Sequence, residues 1–232
     1  MSLELVGEVQ SASDPLAPVG DISGRSIWPI AGGKGGTGKS TLAANLGVGL
    51  ALLGYRVILV DCDLGGADLH LFFDQLAPAR TLGHFLHKDA NSLNEVLLPT
   101  PHKNLKLVCG GNEAIGLANL PFWVKEKLIR HICRLEADFV LIDLGSGTSF
   151  NTLDFFTLAE SGLIVCTPDP PARVDAYGFI KNTVYRKLRR CFAQNDSVKV
   201  GINDFARDSG RRNGRISELL EIIGQIDSQS GE

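Results

Sequence analysis

The chain has 232 residues, a net charge of −3 and 44% hydrophobic residues. This length and composition suit a single domain with a sizeable buried core. The slightly acidic balance argues against a protein that coats nucleic acid through general positive charge, although it leaves a local basic patch open. No apolar run approaches the ~20 residues that a membrane span needs, and the first residues lack the pattern of a secretory signal. We therefore expect a cytoplasmic protein without a stable membrane span.

The five cysteines are scattered along the chain and include no C-x-x-C pair. Four of them lie within apolar segments, where a thiol usually packs as a small hydrophobic group. We therefore expect neither a structural zinc site nor a disulfide framework. The positions are Cys62, Cys109, Cys133, Cys166 and Cys191.

The beginning of the chain predicts a flexible segment followed by a strand. Residues 1–24 are rich in Ser, Asp, Pro and Gly, and we expect a flexible lead-in to a single domain over residues 25–232. The apolar run Ser26–Ala31 predicts the first strand. Because Pro29 lacks the N–H that a strand ladder uses, we expect locally broken pairing at that position.

A glycine-rich loop follows this strand and opens a helical pattern. Gly33–Ser40 fits the phosphate-loop pattern G-x-x-x-x-G-K-[ST]. The glycines let backbone N–H groups form a nest around phosphate oxygens, and the helix starting near Lys39 directs its positive end at the same anion. A glycine-rich turn without a ligand is the alternative, against which the strand–loop–helix context argues. The candidate nucleotide-binding residues are Gly33, Lys34, Gly35, Gly36, Thr37, Gly38, Lys39, Ser40 and Thr41.

Two side chains of the loop have specific chemistry to offer. The Lys39 ammonium can reach the β- and γ-phosphates of a nucleotide, and the Ser40 hydroxyl can coordinate Mg²⁺. The helix that begins here should bury one side and end at Gly54. The predicted buried side consists of Leu42, Leu46, Val48, Leu50 and Leu53.

Two later strands end in acidic residues. The apolar run 55–60 is typical of a strand in a parallel sheet and ends at Asp61-Cys62-Asp63. Residues 138–143 show four apolar residues before Asp143, the Walker B pattern whose carboxylate holds the water shell of a metal. Ligands of open α/β sheets bind outside the carboxyl ends of strands, so these carboxylates should face the nucleotide. Helix-capping or loop acids are the alternative for the first pair.

Lys34 makes the loop more specific. It is a second lysine directly after the first glycine of the motif, and its repulsion with Lys39 is unfavourable unless an anion is present. This variant loop resembles that of the MinD/ParA family of dimeric P-loop ATPases, in particular the flagellar-number regulators called FlhG. The resemblance covers about residues 26–190. It implies an α/β fold with a mostly parallel, doubly wound sheet and helices on both faces.

The resemblance also implies roles for single residues. Lys34 would reach across a dimer interface to the nucleotide of the partner subunit, and Asp63 would orient the attacking water. Asp61 would lie near the metal, and Gly147 would approach the γ-phosphate. The catalytic residues so implied are Lys34, Lys39 and Asp63, the metal ligands are Ser40, Asp61 and Asp143, and the additional nucleotide contact is Gly147. The family more often has a proline in the turn before this glycine. Because Gly145-Ser146 departs from that pattern, the resemblance does not settle which backbone N–H donates to the γ-phosphate.

The rest of the chain predicts peripheral elements. We expect strands at 105–109, 162–167 and 198–202, and helices at 121–135, 175–190 and 216–226. The helix at 121–135 should point Phe122 inward and Lys125 outward. Because the family usually continues through further core strands, we also expect a domain that is truncated at its C-terminus.

The motif Asn-Lys-x-Asp, with which related GTPases recognise guanine, is absent from the sequence. ATP is therefore favoured over GTP as the nucleotide. The leading prediction is a Mg²⁺-dependent ATPase that forms an ATP-dependent homodimer, has a protein partner and acts in flagellar placement or cell division. One alternative is a ParA-like DNA-partition ATPase, which would need a basic stripe and salt-sensitive DNA binding. Another is a nucleotide-binding module without turnover. The net charge does not favour DNA.

Overall fold

The computed structural model describes residues 25–63, 65–111, 120–212 and 215–230, without the side chains of 208–212 and 227–230. The predicted lead-in, residues 1–24, lies outside the described residues. The strands are β1 Ser26–Ala31, β2 Val57–Cys62, β3 Leu97–Pro99, β4 Leu105–Val108, β5 Phe139–Leu144 and β6 Leu163–Ile164. The α-helices are α1 Lys39–Leu52, α2 Leu82–Leu86, α3 Phe122–Ile132, α4 Phe150–Phe156, α5 Pro170–Cys191, α6 Asp196–Arg212 and α7 Ile216–Ser230, and 3₁₀ helices span Leu69–Phe73 and Leu93–Val96.

The strands form one sheet in the order β3-β4-β2-β5-β1-β6. Every neighbouring pair is parallel except β3 and β4, which are antiparallel. The strand before the phosphate loop therefore pairs with the strand that contains Asp143, as the two motifs predict. Since the carboxyl ends of parallel strands lie at one edge of the sheet, the loop, Asp61 and Asp143 all meet there.

Helices cover both faces of the sheet, which confirms the doubly wound α/β architecture. On β2, Val57 and Leu59 contribute to the apolar cluster on the α1 side, whereas Ile58 and Val60 contribute to the cluster formed with α3, α4 and α5. This alternation follows from the two-residue repeat of a strand.

The buried side of α1 agrees with the prediction only in part, since Leu46, Val48 and Leu50 are partly buried against the core. The buried apolar positions are small residues, Ala43, Ala44, Gly47 and Ala51. Leu42 and Leu53 are instead 40% and 75% exposed. A Cβ on Gly47 would lie 3.1 Å from the Leu59 side chain, so the helix lies too close to the sheet for large side chains along its central line. Gly54 does end the helix, with a φ of +94°.

Pro29 does not break the sheet where we expected it to. The pairing of β1 with β5 continues through the register pair Pro29 and Ile142, so the prediction was wrong for that side. The missing N–H removes a single donor, while the neighbouring residues keep theirs. Pairing with β6 begins only at Ile30.

The second half of the chain holds further departures from prediction. The predicted strand at 198–202 is part of helix α6, where Val198 and Ile202 share one helical face and pack against Leu219 and Ile223 of α7. The predicted strand at 162–167 is reduced to two residues. Helix α5 begins at Pro170 rather than at 175, because Asp169 caps it by accepting a hydrogen bond from the Ala172 N–H.

Helix α3 also contradicts its predicted orientation at two positions. Phe122 is 53% exposed. Lys125 is buried and forms an ion pair with Asp154, which also accepts hydrogen bonds from Arg186. A buried partner on another helix therefore overrides the solvent preference of this lysine. Among the residues that the structure describes, no helix is long and apolar enough to cross a bilayer.

Candidate functional site

The glycine-rich loop has the backbone shape of an anion nest. Gly36 and Gly38 adopt φ values of +75° and +87°, in the left-handed region that favours glycine. Gly38 is the N-cap of α1 and has no side chain to accept from the first turn of the helix. The amino-terminal N–H groups of α1 therefore remain free of a side-chain cap, which suits phosphate binding at this point.

Two glycines of the loop are required by close packing. A Cβ on Gly33 would lie 2.3 Å from the backbone carbon of Asp175 in α5, and one on Gly32 would lie 2.9 Å from the Val165 carbonyl oxygen. Real Cβ atoms do not approach this closely. The loop is therefore fixed between its own strand and the first turns of α5.

Buried polar atoms without partners converge beside this loop. Lys39, Thr37 and Asp143 are 7%, 8% and 1% exposed. The Thr37 hydroxyl and both Asp143 carboxylate oxygens have no hydrogen-bond partner among the described residues. Buried groups of this kind are normally satisfied, and a nucleotide phosphate with its metal would satisfy an ammonium, a hydroxyl and a carboxylate together. The residues present therefore fit Mg²⁺ and a nucleotide.

The two strand-end carboxylates have raised pKa values. Asp61 and Asp143 are register partners on β2 and β5. Burial, followed by the charge of Asp143, raises the pKa of Asp61 to about 8. Burial raises the pKa of Asp143 to about 6, against the lowering influence of the Ser40 hydroxyl and the Lys39 ammonium. Ser40 lies close to Asp143 without completing a hydrogen bond of normal geometry. A cation between these groups would relieve the cost of their burial.

Asp61 already has partners in its own loop. Its two carboxylate oxygens accept hydrogen bonds from the N–H groups of Asp63, at 3.1 Å, and Leu69, at 3.2 Å. Asp61 thus holds both ends of the segment that follows β2. Sequence reasoning placed this residue near the metal and did not anticipate that its oxygens bind the backbone.

Asp63 and Gly147 lie in facing turns. The Asp63 carboxylate accepts from the Gly65 N–H at 3.3 Å, and a Cβ on Gly145 would lie 3.0 Å from its Oδ1 atom. Gly147 adopts a φ of +85°, and its N–H donates to the Gly32 carbonyl at 3.1 Å. The turn after β5 is therefore bonded directly to the start of the phosphate loop.

Lys34 is engaged within its own chain. Its Nζ atom lies 3.0 Å from Asp169 Oδ1, and the two side chains are 37% and 42% exposed. Hydrogen bonds from Thr167, from the Ala172 N–H and from Lys34 hold the pKa of Asp169 well below its ordinary value. Sequence reasoning missed this partner, although an acid before Pro170-Pro171 is a recognisable helix-capping signal.

The described residues contain no group of three or more His, Cys, Asp or Glu side chains that could hold a metal by itself.

Comparison with known proteins agrees with the fold and the loop. The family described as "CobQ/CobB/MinD/ParA nucleotide binding domain" matches residues 28–228. The flagellum site-determining protein YlxH of Helicobacter pylori is 31% identical over 66% of this chain and 51% of its own length. The antiactivator FleN of Pseudomonas aeruginosa is 30% identical over 72% of this chain and 59% of its own length. The chain thus spans about half to three fifths of these relatives.

A solved structure with bound nucleotide is also similar. The septum site-determining protein MinD of Pyrococcus horikoshii, complexed with Mg-ADP, has 29% identity and a TM-score of 0.60, with 69% of this chain and 66% of that chain covered. Fold, loop and unsatisfied polar atoms define a nucleotide-binding protein of the P-loop class. Within that class, the chain belongs to the CobQ/CobB/MinD/ParA family.

Proposed function

We propose that this chain is a Mg²⁺-dependent ATPase that dimerises when ATP is bound and acts in spatial organisation in the cytoplasm. The observation that supports this proposal best is the group of unsatisfied buried atoms on Thr37 and Asp143 around the Lys39 ammonium, at the uncapped start of α1. One relative is named for flagellum site determination and others for septum site determination, so the role in spatial organisation is flagellar placement or cell division. Calorimetric titration with ATP, ADP and GTP in the presence of Mg²⁺ tests the binding step.

Each site residue has a part in this proposal. Lys39 and the loop N–H groups hold the β- and γ-phosphates, and Ser40 and Asp143 bind Mg²⁺ or its water shell. When bound, Mg²⁺ neutralises charge that develops on the phosphate oxygens. Asp61 lies on the metal side and, through its two backbone hydrogen bonds, fixes the loop that presents Asp63.

The turn after β5 supplies a switch. The Gly147 N–H donates to Gly32 in this structure, and it can turn to the γ-phosphate only by giving up that bond. We propose that γ-phosphate competes with the Gly32 carbonyl for this donor. Cleavage of ATP would then return the turn to the arrangement described here.

Asp63→Ala should slow hydrolysis while leaving ATP bound, because the attacking water loses its orienting acceptor. Loss of one positioning group costs roughly a hundredfold or more in such reactions. Single-turnover release of phosphate, with ATP affinity measured in parallel, checks this expectation. The variant Asp74→Asn is the matched control, because it removes a carboxylate from the end of the same segment and tolerates the φ of +56° found there. Unchanged turnover in Asp63→Ala would exclude the assigned role, and absent turnover in the parent chain would favour a binding module.

Lys34→Ala should weaken the ATP-bound dimer and largely spare ATP binding by one chain. Lys34 and Asp169 form an exposed ion pair, and such pairs contribute little to stability, so the variant should stay folded. Once Lys34 leaves Asp169, it can bridge to nucleotide in a partner subunit. Analytical ultracentrifugation with ATP checks this expectation, with Lys187→Ala, an exposed lysine near the other end of α5, as the control. Equal dimerisation of both variants would show that Lys34 does not act in trans.

One observation favours a second function, DNA partition. Residues 181–215 contain ten Lys or Arg residues and three Asp residues, although Arg186 is already bonded to Asp154. If this segment binds DNA, affinity should fall steeply with salt, since counterions are released on binding. DNA binding that is weak and insensitive to salt would exclude the partition function and leave the first proposal as the only one.

A further inference from the structure

A cavity lies at the edge of the sheet opposite the phosphate loop. Its volume is about 570 Å³, and it is lined by the amino-terminal ends of β2 and β4, by β3 and by the turn before β5. Val57, Ile58 and Ala137 form its buried apolar floor. It shares no residue with the nucleotide site, so the proposed ATPase does not account for it.

The rim of the cavity is basic. Arg56, Lys103 and Lys106 contribute positive charge against a single carboxylate, Glu136. Arg56 is paired with Asp138 at 2.7 Å. Lys103 and Lys106 are exposed, and within the described ranges neither forms an ion pair. The cavity thus offers two free ammonium groups beside an apolar floor, a combination that suits an acidic, partly apolar peptide segment.

The first described residues, Arg25 and Ser26, lie beside the cavity. The Arg25 guanidinium donates to the carbonyl oxygens of Cys133 and Leu135, and the Ser26 N–H donates to the Asp138 carbonyl at 2.9 Å. Glu136 and Ala137, which line the cavity, lie between those acceptors in the chain. Arg25, the first residue that the structure describes, therefore lies next to the cavity wall.

The composition of residues 1–24 complements that rim. The segment contains four acidic residues and no Lys, Arg or His. Neighbouring strands are about 4.8 Å apart, so β4 lies about 14 Å from the start of β1 across β2 and β5. An extended chain gains about 3.4 Å per residue, and Asp21 is four residues before Arg25. Asp21 can therefore reach Lys103 and Lys106, and Asp14 lies further along the same segment. The acidic residues are Glu4, Glu8, Asp14 and Asp21.

We propose that residues 1–24 of this chain dock into the cavity at the amino-terminal ends of β2 and β4, with their carboxylates against Lys103 and Lys106. Apolar residues of the segment, such as Val19 and Ile22, cover the floor formed by Val57 and Ile58. The contact is intramolecular, and it weakens at high salt because the rim is solvent-exposed.

Carbodiimide cross-linking of the full chain tests this proposal, because the reagent joins carboxylates to lysines that touch. Mixing chains of two isotopic labels separates links within one chain from links between chains. The expected products join residues 8–21 to Lys103 or Lys106 within one chain, and a Lys34–Asp169 link serves as the internal positive control. Links found only between differently labelled chains would mean that the cavity receives a second copy. No link, with the control link present, would also overturn the proposal.

Charge reversal adds a second test. Lys103→Glu/Lys106→Glu should lose these links, whereas adding Asp14→Lys/Asp21→Lys should restore links between the same positions. Cleavage after Glu8 by a glutamate-specific protease should be roughly tenfold faster in the first variant, which corresponds to about 1.4 kcal/mol of docking. Lys187→Glu/Arg189→Glu, on α5, is the control and should change neither readout. Cleavage at equal rates in the parent chain and in Lys103→Glu/Lys106→Glu would overturn the proposal. This outcome does not depend on whether the chain binds or hydrolyses ATP.

Discussion

Lys39→Ala is expected to abolish nucleotide binding, or nearly so. Lys39 is 7% exposed at the start of α1, and the side chain is the main cation that can face the triphosphate. Loss of charge-assisted hydrogen bonds to two phosphates costs about 3 kcal/mol or more, a loss of affinity of at least roughly a hundredfold. Calorimetric titration with ATP and Mg²⁺ checks this expectation, with Lys187→Ala as the control.

The same variant should fold. No ion pair of Lys39 is found among the described residues, and its ammonium acts on the Asp143 carboxylate only through space, so alanine removes a buried charge that has little direct compensation. We expect thermal unfolding without nucleotide to occur at or above the parent temperature, and the stabilisation by ATP to disappear. Normal ATP affinity in a folded variant would refute the assignment of the phosphate loop.

Asp154→Ala is expected to have the largest effect on stability. Asp154 is fully buried, and it accepts from Arg186 at 2.6 and 2.9 Å and from Lys125. Burial raises the pKa of Asp154, but these hydrogen bonds outweigh it and hold the pKa below its ordinary value. Removal of the carboxylate leaves the buried Lys125 ammonium without its partner, which costs about 3–5 kcal/mol.

Urea denaturation measures this cost, with Asp196→Ala as the control. Asp196 pairs with Lys199 at 2.6 Å but is 93% exposed, so its removal should change the free energy of unfolding little. Because the pKa of Asp154 is depressed, its stabilisation is complete above the ordinary carboxyl pKa of about 4 and is lost as pH falls below it. Equal effects of the two variants at neutral pH would show that the buried network does not stabilise the fold.

The sequence was sufficient to predict features that depend on the conformation of a short stretch of backbone. The phosphate loop is defined by glycines within eight residues, and two of them have the positive φ values that the nest needs. The apolar runs ending at Asp61 and Asp143 likewise predicted neighbouring strands, because buried parallel strands are continuous apolar segments. These features predicted the order of the central strands and the position of the phosphate loop beside Asp61 and Asp143.

Features that depend on distant partners could not be predicted in the same way. The small buried side of α1 reflects the distance to Leu59 on β2, and the burial of Lys125 reflects an acid 29 residues later on another helix. The pairing of Lys34 with Asp169 joins the loop before α1 to the residue that caps α5, 135 positions later in the chain. The periodicity of apolar residues predicts which face of a helix is buried. It does not predict the distance between that face and the sheet, or the charged residues on the elements that pack against it.

Light scattering of Asp63→Ala with Mg²⁺ and either ATP or ADP tests whether the chain forms an ATP-dependent dimer. The chain has a mass of 24.9 kDa. Because this variant should retain ATP uncleaved, we expect twice that mass with ATP and the single-chain mass with ADP. A single-chain mass in both nucleotides, with ATP demonstrably bound, would show that ATP does not drive dimerisation of this chain.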